Sequence, residues 1–594
     1  MVQTVRAHWR LSTIFIVFSI GLLTLHAVLG TPEGNSYKFN LPWFDGFRTA
    51  FWSGDLYPRY LFNLWYGLGA ADFYFYGPLP FWLASTLGQA TCPTCSTGTV
   101  FSVSGAWMIL LSGVSFFVFA RRYFAPAYAG FGAMVYMVLP FHYFVDWYDR
   151  QSVGEIASMM ILPLLALATA KLIEEKKGGA LFAISFTAIA LSHMPTTLIV
   201  VHLLAVLVTW TVLTQFHTWA DRAAVLIRFA LWGALGAALS AIYWIPALAL
   251  LDSVSPDMLY TEFYDSSKWL LLDGRPELDQ QISNTIRSCL LLVVTTAFAA
   301  YLAMRQNPKT APETVFTLRL WIIGPSLFTA FLMTIFSYPI WEFWVLNKIQ
   351  FPWRTLTVSD LSVALGAIVV AKYVIETRKT DQNQRARLLA GLCGVALVIA
   401  YIPQVQRTVE AAKAGHARGG EFAPVAVPEY VPPLFLEPAL MRFRSKITDQ
   451  TSNEARYVIF FEEMRQSHAQ AVTWMQDDAP GAVFTSDLHD RSRLQVNLLA
   501  PASVRLPIAV WPHWRAQLSD GTPVALQADT ETGLFSIDLP AGSSDISFYV
   551  IETVPQKIGS SLSLLALLSL FGYGLGQAYR RRRPRKKALA TSLA

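Results

Sequence analysis

Ionisable side chains are scarce in the apolar part of this chain, and several of those outside its basic clusters lie in short stretches dense in aromatic residues and proline. The first, WFDGFRTAFWSGDLYPRY, carries Asp45, Arg48, Asp55 and Arg59 and runs on into GLGAADFYFYGPLP with Asp72. A carboxylate held there could take the proton of an acceptor hydroxyl, given hydrogen-bond reach and suitable basicity. Asp45 is the first candidate base and Asp55 its close substitute. The bland alternative is that these groups cap helices or stand as solvated loop charges, as Asp55 after Ser53-Gly54 would. The second stretch, YFVDWYDRQSVGEIAS, places Asp149, Arg150 and Glu155 where the chain enters an apolar segment. Charge at that depth is costly unless paired or used, so an internal Arg150–Glu155 pair competes with a ligand contact. His193 opens HMPTT at another segment end; it either terminates the helix through a hydrogen bond or meets a polar headgroup. No set of metal-spaced ligands accompanies it, so the sequence supports no divalent metal and no certain cofactor. The last stretch, IWEFWVLNKIQFPWRTL, holds Gln350, Trp353 and Arg354. A guanidinium on that proline-fixed approach could clamp a phosphate in a partly apolar setting. Snorkelling beside Trp353 would explain the position of Arg354 but not the surrounding QFPWR.

What must position these residues is a set of membrane spans. Of 594 residues 54% are apolar and 14% charged, and the mean hydropathy is +0.40, too apolar for a soluble multidomain protein. A helix needs about 20 mostly apolar residues to cross the hydrocarbon layer. About twelve such segments are expected, beginning with residues 11–29, read as an uncleaved span rather than a removed signal. Arg6 and Arg10 precede the first, and Arg580, Arg581, Arg582, Arg583, Arg585, Lys586 and Lys587 follow the last. Both termini are therefore expected in the cytoplasm. Arg121 and Arg122, Lys176 and Lys177, Arg222 and Arg228, Arg305 and Lys309, and Arg378 to Arg387 fall on the same side, which leaves the stretches described above outside. Within the first loop, residues 43–52 and 78–87 are too short to cross and read as helices lying in the interface. The formal charge of +6 owes much to the basic tail and suits anionic lipid better than nucleic acid, for which there is no motif. Cys289 and Cys393 lie in apolar segments; Cys92 and Cys95, in TCPTC, could form a local disulfide outside.

From residue 403 the periodicity changes. Alternating runs at 493–499, 503–511, 524–527 and 546–550, separated by turn residues, predict strands of a small external sandwich. The expected division is a membrane domain over 1–402 with catalytic outer loops, a β-rich domain over 403–556, and a final span with a basic tail over 557–594.

GDLYPRY, FYFYGPLP, YDRQSVGE, HMPTT, YWIPAL and above all QFPWR resemble the bacterial and archaeal membrane family labelled as related to 6-pyruvoyl-tetrahydropterin synthase. That family is similar in turn to YfhO-like proteins and the GT-C glycosyltransferases. The resemblance covers residues 11–402, with WPHWRAQLSDG extending it weakly. It implies a polytopic α-helical GT-C-like fold in the inner (plasma) membrane. It also implies transfer of a sugar from a polyprenyl-phosphate donor to a glycan, lipid or protein acceptor on the outer face, with Asp45 or Asp55 as base. Arg354, with Arg150 or Arg59, would hold the departing phosphate in an inverting displacement. The rivals are a transporter or flippase of lipid-linked saccharides and a noncatalytic component of polysaccharide assembly; sparse ionisable residues within the spans favour the enzyme.

Overall fold

In the computed structural model the described residues are 2–256, 264–274, 280–306, 312–343, 345–378, 382–414, 453–486 and 491–591, with 260, 416–417, 430, 432–435 and 446. Parts of the expected outer loop over 251–288, of the basic stretch 378–387 and of the start of the expected β-rich domain lie outside them.

The apolar segments form helices: α1 (Val2–Leu29), α2 (Tyr37–Trp52), α3 (Thr97–Ala120), α4 (Pro126–Val138), α5 (Val153–Glu174), α6 (Gly179–Ser192), α7 (Met194–Gln215), α8 (Trp219–Leu239), α9 (Gln280–Gln306), α10 (Pro312–Leu332), α11 (Leu356–Glu376) and α12 (Asn383–Ala414). Among the described residues ten helices are long and apolar enough to cross a membrane, and two shorter apolar ones cover Thr13–Leu29 and Gly179–Ser192. The chain is a multi-pass helical protein with a C-terminal β-rich region. Helix α5 is the hub: it packs on α3, α6 and α11 and buries residues around its whole circumference, from Val153 to Leu172, as a helix enclosed by others should. Close approach needs small residues. A Cβ on Gly105 of α3 would come within 2.3 Å of the Trp147 ring, so glycine there admits the indole between helices.

The short segments expected within the first loop form α2 and a run of short helical turns over Leu79–Leu83, Ala84–Gly88 and Gln89–Thr91. Cys92 and Cys95 are joined in a disulfide behind them. Trp43, Phe47, Phe73, Phe81 and Phe101 interlock beneath this loop, Phe73 meeting Trp43 and Phe81 edge to face and the other pairs tilted, which supplies the apolar mass that a loop of this length needs to keep one shape.

The C-terminal region contains helix α13 (Asn453–Asp478) and strands β1 (Val483–Ser486), β2 (Arg491–Leu498), β3 (Ala502–Ala509), β4 (Trp514–Leu518), β5 (Pro523–Val524), β6 (Leu526–Ala528), β7 (Leu534–Leu539) and β8 (Gly542–Val550). They make an antiparallel sheet of order β1-β2-β8-β4-β5 facing one of order β3-β7-β6. Val504, Leu506, Ile508, Ile537, Leu494, Ile546 and Phe548 fill the space between. The sequence reading allotted no helix to this region, although Phe460, Met464, Ala471 and Met475, all buried in α13, recur at helical spacing and form the face that packs on β3. Helix α12 likewise runs on to Ala414, through Pro403 and beyond the boundary expected at 402. The final helix α14 (Val554–Thr591) returns along α8 and the short helix Ala241–Ala249.

Candidate functional site

At the loop-rich end of the bundle three helices are interrupted rather than capped by long loops. After Val138 the chain turns through Pro140–Asp149 in wide π geometry before α5 begins. Between α6 and α7, His193 alone is extended, with φ −159° and ψ 112°. Ahead of α11, Pro352–Thr355 forms a single 3-10 turn. Each break points polar groups inward, and they meet.

Glu155, in the first turn of α5, is the centre. Its side chain is fully buried. Arg150 donates to it through Nη2 (2.7 Å) and Nη1 (3.0 Å), and Ser152 donates at 3.1 Å. Arg150 Nη1 also reaches Asp146 Oδ1 at 2.8 Å. The Nε of Arg354 lies 2.9 Å from Glu155 Oε1, an ion pair without the alignment of a hydrogen bond. Arg354 Nη1 donates to Ile349 O and to Gln350 Oε1, each at 2.7 Å. Gln350 reaches that position with φ +70°. Behind them Trp353 stacks on Phe351, centroids 4.3 Å apart, and meets Trp269 edge on at 4.6 Å. Burial would lower the proton affinity of Arg150, but Glu155 and Asp146 more than offset it, so the net shift is upward and the guanidinium stays charged.

Two further groups face this pair. His193 Nδ1 accepts from the Thr196 backbone N–H at 3.4 Å and lies 2.8 Å from Thr196 Oγ1. Burial and the neighbouring Arg354 push the imidazole down to about 3, so the ring is neutral and, with Nδ1 accepting, carries its proton on Nε2. Tyr76, missed in the sequence reading, lies beside Arg354, Glu155 and Arg150, and burial pushes its phenol up to about 12. Arg354 Nη2 makes no hydrogen bond among the described residues, and its side chain keeps a tenth of its surface accessible. The corner therefore offers an Nη2–H, an Nε2–H and a phenolic O–H, which suits an oxyanion. Deeper in the bundle Asp146 Oδ2, Asp360 Oδ2 and His142 Nε2 are buried without hydrogen bonds.

The first-loop residues lie elsewhere. Asp45 Oδ1 accepts from Thr97 Oγ1 at 2.8 Å and from Arg48 Nη2 at 3.2 Å. Arg48 continues to Gln89 at 3.2 Å. Trp43, on the same helix, touches Tyr76 with centroids 4.7 Å apart, and Asn40 donates to Gln151 O at 2.7 Å. At about 100° per helical residue Asp45 stands roughly 200° from Trp43 and 140° from Asn40, on the flank away from the arginines. Asp55 is exposed and accepts the Tyr57 N–H at 3.0 Å, an Asx turn. Arg59 lies over the Tyr57 ring at 4.0 Å and donates to Ile242 O at 3.1 Å, outside the cluster. Asp149 accepts the Asn35 N–H at 2.8 Å through its carbonyl, and its carboxylate adds to the negative field that keeps Arg150 charged. Thus Arg150, Glu155, His193, Gln350, Trp353 and Arg354 come together; Asp45, Asp55 and Arg59 do not join them. Among the described residues no group of His, Cys, Asp and Glu could hold a metal ion.

No protein-family model matches this chain, and no curated protein does, so the family label rests on the sequence motifs. Among solved structures, the apo Archaeoglobus fulgidus oligosaccharyltransferase aligns with TM-score 0.39 at 15% identity, over 74% of this chain and 58% of that one. ArnT from Cupriavidus metallidurans bound to undecaprenyl phosphate aligns with TM-score 0.37 at 10% identity, over 89% and 97%. Arabinofuranosyltransferase AftD from Mycobacteria aligns with TM-score 0.42 at 15% identity, over 91% and 40%. The chain thus spans less than two thirds of the length of the oligosaccharyltransferase.

Proposed function

We propose that this protein is a GT-C-type membrane glycosyltransferase. It moves a sugar from a polyprenyl-phosphate carrier to a glycan, lipid or protein acceptor on the outer face, and both of its termini are cytoplasmic. The observation that carries the reading is the uncommitted donor set of Arg354 Nη2, His193 Nε2–H and Tyr76 O–H in a buried corner at the end of the spans. A lipid phosphate would lie at that depth with its polyprenyl tail among the helices. Glu155 fixes both guanidiniums before the ligand arrives, so little reorganisation accompanies binding. Phosphate is a competent leaving group; positioned positive charge does the main electrostatic work, and a first-loop carboxylate takes the acceptor proton. Asp45 and Asp55 are the carboxylates that the sequence offers for that step.

The buried acceptors Asp146, Asp360 and His142 within the spans favour a second reading, a transporter of lipid-linked saccharides, because such groups can mark a polar path. Binding of radiolabelled decaprenyl phosphate to purified protein, with mass spectrometry of lipid-linked sugars and envelope glycans from a deletion strain, tests both. Arg354→Lys keeps the charge but loses the fork, and should weaken binding about tenfold, with Arg354→Ala worse. Unchanged binding in both variants refutes the phosphate corner. A deletion strain that loses the glycan while the intact lipid-linked precursor accumulates on the cytoplasmic side favours the transporter, whereas accumulation of the donor on the outer face favours the transferase.

A further inference from the structure

The loop between α1 and α2 does not drift over the surface. Residues 32–36 are seated on the turn that carries Arg150. Asn35 N donates to Asp149 O at 2.8 Å and Ser36 N to Arg150 O at 3.1 Å. Gln151 Nε2 donates to Pro32 O at 3.0 Å, and Asn40 Nδ2 closes the set on Gln151 O at 2.7 Å. A Cβ at Gly34 would lie 2.9 Å from the carbonyl oxygens of both Tyr148 and Asp149, so only glycine lets the two backbones meet there. Gln151 adopts φ +52°, a conformation that non-glycine residues take at a cost; its side-chain amide donates to Pro32 O of this loop, while its backbone and side-chain carbonyls accept from Asn40 of α2. On the far side Thr31 and Pro32 pair with Ala417 and His416. Every residue flanking Glu33 is thereby fixed, and Glu33 itself is exposed. Among the described residues its carboxylate makes no hydrogen bond or ion pair; its one electrostatic neighbour is Tyr37.

Resting on the glycosyltransferase reading, we propose that Glu33 is the general base, in place of Asp45 and Asp55. The three carboxylates differ in what they have left to offer. Asp45 has an oxygen committed to Thr97 and Arg48 on the flank of α2 away from the arginines. Asp55 closes an Asx turn beyond the far end of α2. Glu33 is carried by the loop whose neighbouring residues 32, 35 and 36 are hydrogen-bonded to residues 149–151, the turn that bears Arg150, and among the described residues its carboxylate makes no hydrogen bond or ion pair. In the step it serves, the acceptor oxygen forms a bond to the anomeric carbon as the bond from that carbon to the phosphate oxygen breaks. The electron pair leaves with the polyprenyl phosphate. The acceptor proton passes to Glu33 and from there to water.

The test complements a deletion strain with the full chain and with Glu33→Gln, Glu33→Asp, Asp45→Asn and Asp55→Asn, measuring product glycan by mass spectrometry and decaprenyl phosphate binding on each purified protein. Glu33→Gln should lower the transfer rate by roughly 10²-fold to 10⁴-fold, the usual contribution of a positioned base, with decaprenyl phosphate binding unchanged. Glu33→Asp should recover part of the rate, which a merely structural role for an exposed side chain would not produce. Full product from Glu33→Gln, where the deletion strain lacks it, overturns the assignment alone, and a matching loss in Asp45→Asn or Asp55→Asn moves the base there. A deletion strain with a wild-type glycan profile overturns the glycosyltransferase reading and the assignment with it.

Discussion

Replacing Glu155 with Gln isolates what the buried charge contributes. In the native protein the carboxylate receives two hydrogen bonds from Arg150, at 2.7 and 3.0 Å, one from Ser152 at 3.1 Å and a long one from Thr357 at 3.4 Å, and it is the ion-pair partner of Arg354 at 2.9 Å. The amide keeps one carbonyl acceptor for Arg150, which also retains Asp146 at 2.8 Å. Arg354 retains only neutral partners, Ile349 O and Gln350 Oε1. Removing one member of a buried pair costs about 3–5 kcal/mol because the other charge is left uncompensated. With these hydrogen bonds surviving, about 3 kcal/mol is expected, roughly a hundredfold in the folding equilibrium. The internal standard is Asp45→Asn, whose pair with Arg48 has side chains 32% and 21% exposed and should be worth about 0–1 kcal/mol. Thermal unfolding of the purified variants in one detergent reads both. Glu155→Gln should melt well below wild type and Asp45→Asn close to it. The double variant Glu155→Gln/Arg354→Gln should lose less than the two single losses added, since the orphaned charge has gone. Equal melting of Glu155→Gln and Asp45→Asn, or strict additivity in the double variant, would refute the claim that Glu155 is the counter-charge of a desolvated pair.

The β-rich region should be coupled to the first loop, because Trp514 Nε1 donates to Tyr60 Oη at 3.2 Å and its ring meets Phe62 at 5.3 Å. Trp514→Ala removes a buried indole, at about 3–5 kcal/mol, and hydrogen exchange should quicken in residues 57–75 as well as in β4; acceleration confined to the strands would refute the coupling. In a background without the native cysteines, Asp520→Cys should react with an impermeant thiol reagent from outside and Lys176→Cys should not. The reverse pattern in folded protein would overturn the outer-face placement of the site.

What the sequence made legible is what side-chain chemistry marks. Apolar runs gave the spans, and the alternation of Leu494, Val496 and Leu498 in β2 showed one face of the sandwich. The Arg150–Glu155 pair was one of two options open to YDRQSVGE, and the structure makes it a hydrogen-bonded ion pair. What stayed hidden travels through the backbone or through distance. The seating of residues 32–36 on 148–151 uses mostly main-chain groups, which leave no pattern beyond a glycine. Thr97, 52 residues from Asp45, could not be named as its partner by any local rule. The aromatic run FYFYGPLP gave no reason to choose Tyr76 over Tyr74 as the ring beside the arginines; Tyr74 instead meets Trp511 of the β-rich region at 5.6 Å.

The breaks in the helices bear on why the site lies where it does. Non-helical backbone among apolar helices needs its polar groups satisfied by protein or water, and here they are satisfied by the site's own members. The π-helical turn leaves the Asp146 carbonyl to accept from Ser152 N at 2.7 Å, and the 3-10 turn hands the Ile349 carbonyl to Arg354. Two non-glycine residues with positive φ, Gln151 at +52° and Gln350 at +70°, flank the Glu155–Arg354 pair on separate elements. Both use their side-chain amides within it, Gln350 on Arg354 and Gln151 on the loop that carries Glu33. Strain of this kind persists only where surrounding contacts over-determine it. Its placement on either side of the two arginines links the donor corner proposed for a phosphate to the loop that carries Glu33.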